Sequence, residues 1–307
     1  MKIRYTGIDI FRVIFACLIP LLHISLPNSM PLHIVRQYIS RLGVPFFFAV
    51  SGMFLSKNIV ENGYLEAMKR QFCRIGRMLC IWFCIYFPLF RISNYSINEY
   101  LFLTPGYLWY LSSMLFAILP FCLIKRRLVK YSFAAILLFV GTFFGENYQW
   151  ISGGGTGLYW KIFISTRNGL FFTFPLMCIG EMVWKTRRSI YNLIIASILT
   201  IVEISYTGLH VSDNADRSMY FLLPILILFF LAFIKEWNPQ IRKVSLAGYS
   251  SAIYLMQYGL ICIGQKILRI LGLINLCWNW IIYIWVLIVP VVFYNLLQNK
   301  RISKIIF

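Results

Sequence analysis

Long apolar runs, broken by short polar and basic clusters, recur from one end of this chain to the other. A helix needs about 20 consecutive apolar residues to cross a bilayer core. On that measure about ten segments emerge, near 8–27, 38–56, 75–93, 100–124, 131–146, 165–184, 189–208, 219–234, 246–266 and 279–298. The fifth and eighth are short. The pattern predicts an all-α, polytopic transmembrane helix bundle of about ten spans, with residues 1–307 forming a single domain.

Composition agrees with the pattern. The chain is 60% hydrophobic, 18% aromatic and 13% charged, with a mean hydropathy of +0.74. A soluble domain of this length has no means of hiding that much apolar surface. The first run follows Lys2 and Arg4, as a signal peptide would. No small-residue cleavage site follows it, so it is expected to be a retained span.

Charge adds a direction. With the N-terminus placed inside, 20 of the 29 Lys and Arg fall in inner segments, eight in outer ones, and Arg12 within the first span. Such alternation is the positive-inside pattern, and it predicts cytoplasmic N- and C-termini. The net charge of +19 then faces anionic lipid head groups and calls for no nucleic acid. The Lys125-Arg126-Arg127 run reads as an inside anchor. The eight cysteines make no Cys-x-x-Cys pair, and three histidines and ten acids lie too scattered for ligand spacing, so no metal site is expected. Cys73, Cys80 and Cys84 share a helical face and read as small buried hydrophobes. The glycine-rich stretch 153–157 lacks the Lys-Ser/Thr of a phosphate-binding loop and reads as a flexible outer loop.

Ionisable residues inside a membrane helix are costly and mark function by default. The first span holds three: Asp9, Arg12 and His23. Eleven α-helical positions separate Arg12 from His23, which predicts one shared face and roughly 16 Å along the axis. A neutral imidazole at His23 suits a general base acting on a hydroxyl acceptor; a packing hydrogen bond to a neighbouring span is the plain alternative. Arg12 suits a phosphate or a carbonyl, or an ion pair with Asp9 three residues away.

Arg74 and Arg77 project together at the inner mouth of the third span, with Gly76 between them permitting close approach. Guanidinium groups suit phosphate recognition, so this pair would meet a nucleotide-bearing donor arriving from the cytoplasm; the alternative is an anchor. The segment Val44 to Gly52 carries Pro45, Ser51 and Gly52, which predicts broken backbone lining a cavity. Trp109 and Tyr110 form an aromatic cluster, either an interface belt or a cavity wall. Arg167 and Asn168, with Glu203 and His210, are the outer-side groups dense enough for a polar acceptor site; Asp213, Asp216 and Arg217 read as a solvated loop.

Together these pieces resemble the acyltransferase-3 family of bacterial integral membrane proteins. The resemblance rests on Ile8 to Arg12 with His23, Val44 to Gly52, Arg74 with Arg77, Leu108-Trp109-Tyr110, and Ser251-Ala252-Ile253-Tyr254-Leu255, in that order along most of the chain. It implies transfer of an acyl group, most often acetyl from acetyl-CoA, to hydroxyls of cell-surface sugars beyond the membrane. It implies Arg12 and His23 as the catalytic arginine–histidine pair and Arg74 and Arg77 as donor contacts. Many relatives close the last motif with His, where this chain has Gln257. Two segments, Thr166 to Phe172 and Ser218 to Pro224, are similar to the membrane half of vancomycin-resistance serine racemases, so a stand-alone relative or an isolated membrane domain is expected.

Two functions follow. In the first, a multi-pass protein of the bacterial cytoplasmic membrane transfers acetyl from acyl-CoA to an envelope glycan or small hydroxyl acceptor, with no permanently bound cofactor. Asp9, Ser51, Trp109, Tyr110, Arg167, Asn168 and Glu203 would line the acceptor cavity. In the second, the scaffold binds or transports L-serine, with Arg12 or Arg167 on its carboxylate and Glu203 or Asp9 on its ammonium.

Overall fold

The computed structural model describes residues 5–27, 29–92, 106–152, 166–210, 219–237, 239, 246–273, 275–298 and 306. Among these the chain is helical throughout, without strands. Stretch 153–157 and residues Asp213, Asp216 and Arg217 lie outside the described residues.

The helices are α1 (Thr6–Leu18), α2 (Met30–Ile34), α3 (Gly43–Asn62), α4 (Tyr64–Ile92), α5 (Trp109–Leu123), α6 (Arg127–Phe143), α7 (Phe174–Met182), α8 (Ile190–Gly208), α9 (Leu223–Glu236), α10 (Leu246–Ile270) and α11 (Asn279–Leu297). Among the described residues five helical stretches are long and apolar enough to cross a membrane: Met30–Asn62, which joins α2 to α3 through tighter and wider turns, Tyr64–Phe90, Ile190–Gly208, Leu246–Ile270 and Leu276–Leu297. Trp109–Leu123 and Gly169–Met182 are shorter apolar helices. The protein is a multi-pass membrane protein.

Local chemistry sets several helix ends. Gly63 stops α3 at φ +81°, its N–H returning to the Ile59 carbonyl at 2.8 Å, a left-handed stop that glycine adopts without steric cost. Ser189 caps α8 by accepting from the Asn192 N–H at 3.2 Å. Asn168 accepts from the N–H groups of Leu170 and Phe171 at 3.0 and 3.1 Å, opening the π-helical turn Gly169–Thr173 that leads into α7.

Two expectations are overturned here. The Val44–Gly52 segment is not broken, because α3 runs unbroken through it. Pro45 lies in the first turn, where no helical partner waits for its missing N–H, and Ser51 satisfies its hydroxyl on the Phe47 carbonyl at 2.9 Å. Gly52 serves packing instead. A Cβ there would come 2.1 Å from the Met177 carbonyl oxygen, and one on Gly180 would come 1.8 Å from that of Ala49. Glycine on both helices therefore lets α3 and α7 touch backbone to backbone. The second correction is that Gly76 makes no close approach, since nothing lies within 4 Å of a Cβ built there.

The α3–α7 contact forms the middle of the bundle. One apolar core lies among α3, α4, α5, α6, α7 and α10 around Phe48, Phe90, Phe121 and Phe174. A second joins α1, α3 and α9 around Phe15, Phe46 and Leu231. A third joins Leu21, Ile24 and Leu26 to α10 and α11. Helix α8 shows an outward apolar face of Ile194, Ile195, Ile198, Leu199 and Val202, as a helix facing acyl chains does. Cys73, Cys80 and Cys84 are exposed on α4, not buried as expected.

Candidate functional site

Helix α1 ends sooner than its apolar run. Pro20 has no N–H to donate and its ring crowds the carbonyl one turn back, so residues Ile19–Leu22 tighten into a 3-10 turn with His23 at its end. At three residues per turn the tightened segment carries His23 about 100° further round than an α-helix would. The expected shared face of Arg12 and His23 is therefore lost.

The two residues sit in different surroundings. Arg12 opens into a cavity of about 510 Å³ bounded by α1, α3, α4, α5, α10 and α11. Arg74 lines the same cavity from α4, so two guanidinium groups 62 residues apart in sequence converge on one space. The remaining polar walls are Ser51, Tyr110, Ser250, Ser251, Tyr254, Tyr294 and Gln298; Phe47, Met78 and Met114 are among the apolar ones. Asp9 lies 3.8 Å from Arg12 in an i,i+3 pair, and Arg74 donates to the Gln71 side chain at 2.9 Å. Arg74 is exposed, so the cavity opens at the protein surface on the α4 side.

His23 does not line that cavity. Its ring stacks on Tyr107 with centroids 3.8 Å apart. Tyr107 in turn packs edge-on against Tyr258, and its carbonyl accepts from the Tyr254 hydroxyl at 2.5 Å. Tyr254 also meets the Tyr110 ring at 5.1 Å. A tyrosine layer thus stands between the arginine cavity and the imidazole, tied together by Tyr254.

Of the other sequence candidates, Ser51 and Tyr110 reach the cavity. Arg77 is exposed on α4 and is not among the cavity-lining residues. Trp109 turns to the other side of its helix and takes Arg167 over its ring at 4.5 Å. Asn168 spends its side-chain oxygen on the turn it opens. Glu203 accepts from the N–H groups of Phe221 and Leu222 at 2.6 and 2.9 Å and from the Tyr148 hydroxyl, fixing the entry to α9. His210 is exposed and stacks on Trp150 at 4.2 Å. Arg167, Glu203 and His210 are not among the residues lining the Arg12 cavity.

Sequence reading missed Tyr107, the residue just before Leu108-Trp109-Tyr110 and the partner that places His23. It also missed Tyr294 and Gln298, which an apolar run ending in polar residues disguises as an interface belt. Lys130 is one of the 20 cations counted in the inner segments. It is 1% exposed, pairs with Glu181 and lies 4.4 Å from the Phe121 ring centre, so it pins α6 to α7.

A multi-pass helical protein with two arginines in one intramembrane cavity, and a histidine behind a tyrosine layer, is the class these features define. The family profile described as an acyltransferase domain, acyltransferase-3, matches residues 5–295. The chain belongs to this family. It is also similar to an amino-acid racemase of Enterococcus faecalis, 25% identical over 99% of this chain and 48% of the relative. It is 26% identical to a serine/alanine racemase of Enterococcus gallinarum over 76% of this chain and 38% of that protein. The chain thus spans about half the length of these relatives, or less. No solved structure matches it significantly.

Proposed function

We propose that this protein is a membrane O-acyltransferase of the bacterial cytoplasmic membrane, taking an acyl group, acetyl in the simplest case, from cytoplasmic acyl-CoA to a hydroxyl of an envelope glycan or other surface acceptor. The observation that carries the reading is the meeting of Arg12 and Arg74 in one cavity within a chain of the acyltransferase-3 family. Ten spans with both termini cytoplasmic would open the Arg74 side to the cytoplasm, in line with the distribution of positive charge.

In this reading Arg74, and Arg12 deeper in, hold the anionic end of the donor by charge-assisted hydrogen bonds. His23 takes the proton of the acceptor hydroxyl through a ring nitrogen. The hydroxyl oxygen bonds to the acyl carbon, the carbon–sulfur bond breaks, and the thiolate leaves with the electron pair and recovers the proton from the imidazolium. For the two to meet, the thioester has to pass Tyr254 and Tyr107.

Equilibrium binding of labelled acetyl-CoA to the purified protein tests the donor site. Saturable binding that Arg74→Gln weakens and Arg77→Gln leaves alone is the expected result. No binding by folded protein would end the reading. L-Serine binding or transport is the second reading, favoured by racemase relatives that cover up to 99% of the chain; labelled serine uptake above an empty-vector control would support it.

A further inference from the structure

Among the described residues, Nε of Arg12, which lines the cavity, and both the amide nitrogen and the carbonyl oxygen of Gln257 are buried without a hydrogen-bond partner. Gln257 is 0% exposed. Burying a carboxamide without partners is costly, and the few such groups that persist call for an explanation.

Its place on α10 supplies one. At 100° per residue Ser250, Tyr254, Gln257 and Ile261 fall within about 60° of one another on the helix surface. Ser250 and Tyr254 line the arginine cavity. Ile261 packs in the cluster of Leu21 and Ile24, the two neighbours of the dipeptide Leu22-His23. Helix α10 packs along α1. Gln257 therefore lies on the way from the arginines to the imidazole, one turn beyond Tyr254, whose hydroxyl bond to the Tyr107 carbonyl closes the cavity at that end.

We propose that Gln257 is a specificity-determining residue that pairs with a secondary amide of an extended, amide-bearing donor arm as it passes from Arg12 toward His23. A carboxamide offers one N–H donor edge and one acceptor, which matches the C=O and N–H of a peptide-like amide and saturates both atoms. The pantetheine arm of an acyl-CoA carries such amides between its phosphates and its thioester, so the inference rests on the donor reading above. A cavity of about 510 Å³ suits an extended arm better than one free amino acid. Entry requires the Tyr254 ring to swing aside, and the amide pairing offsets the cost.

The test uses the full chain in lipid nanodiscs with two probes: acetyl-CoA, and adenosine 3′,5′-bisphosphate, which lacks the arm. Gln257→Leu should weaken acetyl-CoA binding about tenfold, as expected for lost amide hydrogen bonds, and leave the bisphosphate unchanged. Gln257→Met, of similar length and more pliant, should do the same if Leu disturbs packing. Equal weakening of both probes, or no weakening of either, overturns the proposal. Wild-type protein that binds both probes with equal affinity overturns it too, while leaving the donor reading intact. Wild-type protein that binds neither probe, but binds L-serine, removes the donor reading and this inference together.

Discussion

Two polar regions of this bundle contrast. Around Glu203, and again between Lys130 and Glu181, charges inside the protein meet partners from neighbouring helices: backbone N–H groups and Tyr148 in the first case, a buried ion pair in the second. Around Arg12 and Arg74 they do not close. Arg12 lies 3.8 Å from Asp9, its Nε has no hydrogen bond among the described residues, and both arginines face a cavity. In this bundle the ionisable residues proposed for function are those whose hydrogen-bonding capacity is left open toward a cavity. Where it is spent, the residue is a fastener.

The sharpest break of this comparison is at His23. His23→Ala should lower acyl transfer by about 10²- to 10⁴-fold, the usual contribution of a positioned base, with acetyl-CoA binding retained; transfer assays on folded, purified variant check this, and full activity would remove the base from the mechanism. On the closed side, Lys130→Met leaves Glu181 with only its 3.8 Å contact to Arg127 and should cost up to about 3 kcal/mol. The double change Lys130→Met/Glu181→Met should recover most of that loss, read as thermal unfolding in detergent. Arg74→Gln should weaken acetyl-CoA binding about tenfold to a hundredfold through a lost charge-assisted bond with little change in melting temperature, whereas Arg77→Gln should change neither. The smallest effect belongs to Glu203→Gln, which keeps an acceptor for one N–H and should cost about 1–3 kcal/mol while leaving donor affinity alone. A Glu203 variant that loses binding but not stability would erase the contrast.

Much of the fold was legible. Among the described residues the apolar runs fall on helices because lipid forces backbone groups to pair within each segment, although five stretches there, not ten, are long and apolar enough to span a membrane. Arg12, Arg74, Ser51 and Tyr110 were singled out before any packing was known. Less legible was which of them meet. The apolar run 8–27 reads as one α-helical span; the 3-10 turn at Pro20 that rotates His23 away from the Arg12 face comes with a stacking contact to Tyr107 far along the chain. Gly52 read as a break because glycine weakens isolated helices; it is instead the surface on which α7 lies, and nothing in its own neighbourhood reveals Gly180, 128 residues away in sequence. Lys130 counted only as one more inner-segment cation, because its acid partner Glu181 sits on a different helix.

By itself, then, the sequence determined that the chain is a multi-pass helical membrane protein of the acyltransferase-3 type and which side chains carry charge into the membrane, since hydropathy and motif order are local properties. The tertiary structure alone decided that Arg12 and Arg74 share a cavity, that Glu203 and Lys130 are fasteners, and that Gln257 lies buried beyond Tyr254. Those outcomes turn on the rotation of each helix about its axis, and that rotation is set by contacts between residues far apart in the chain.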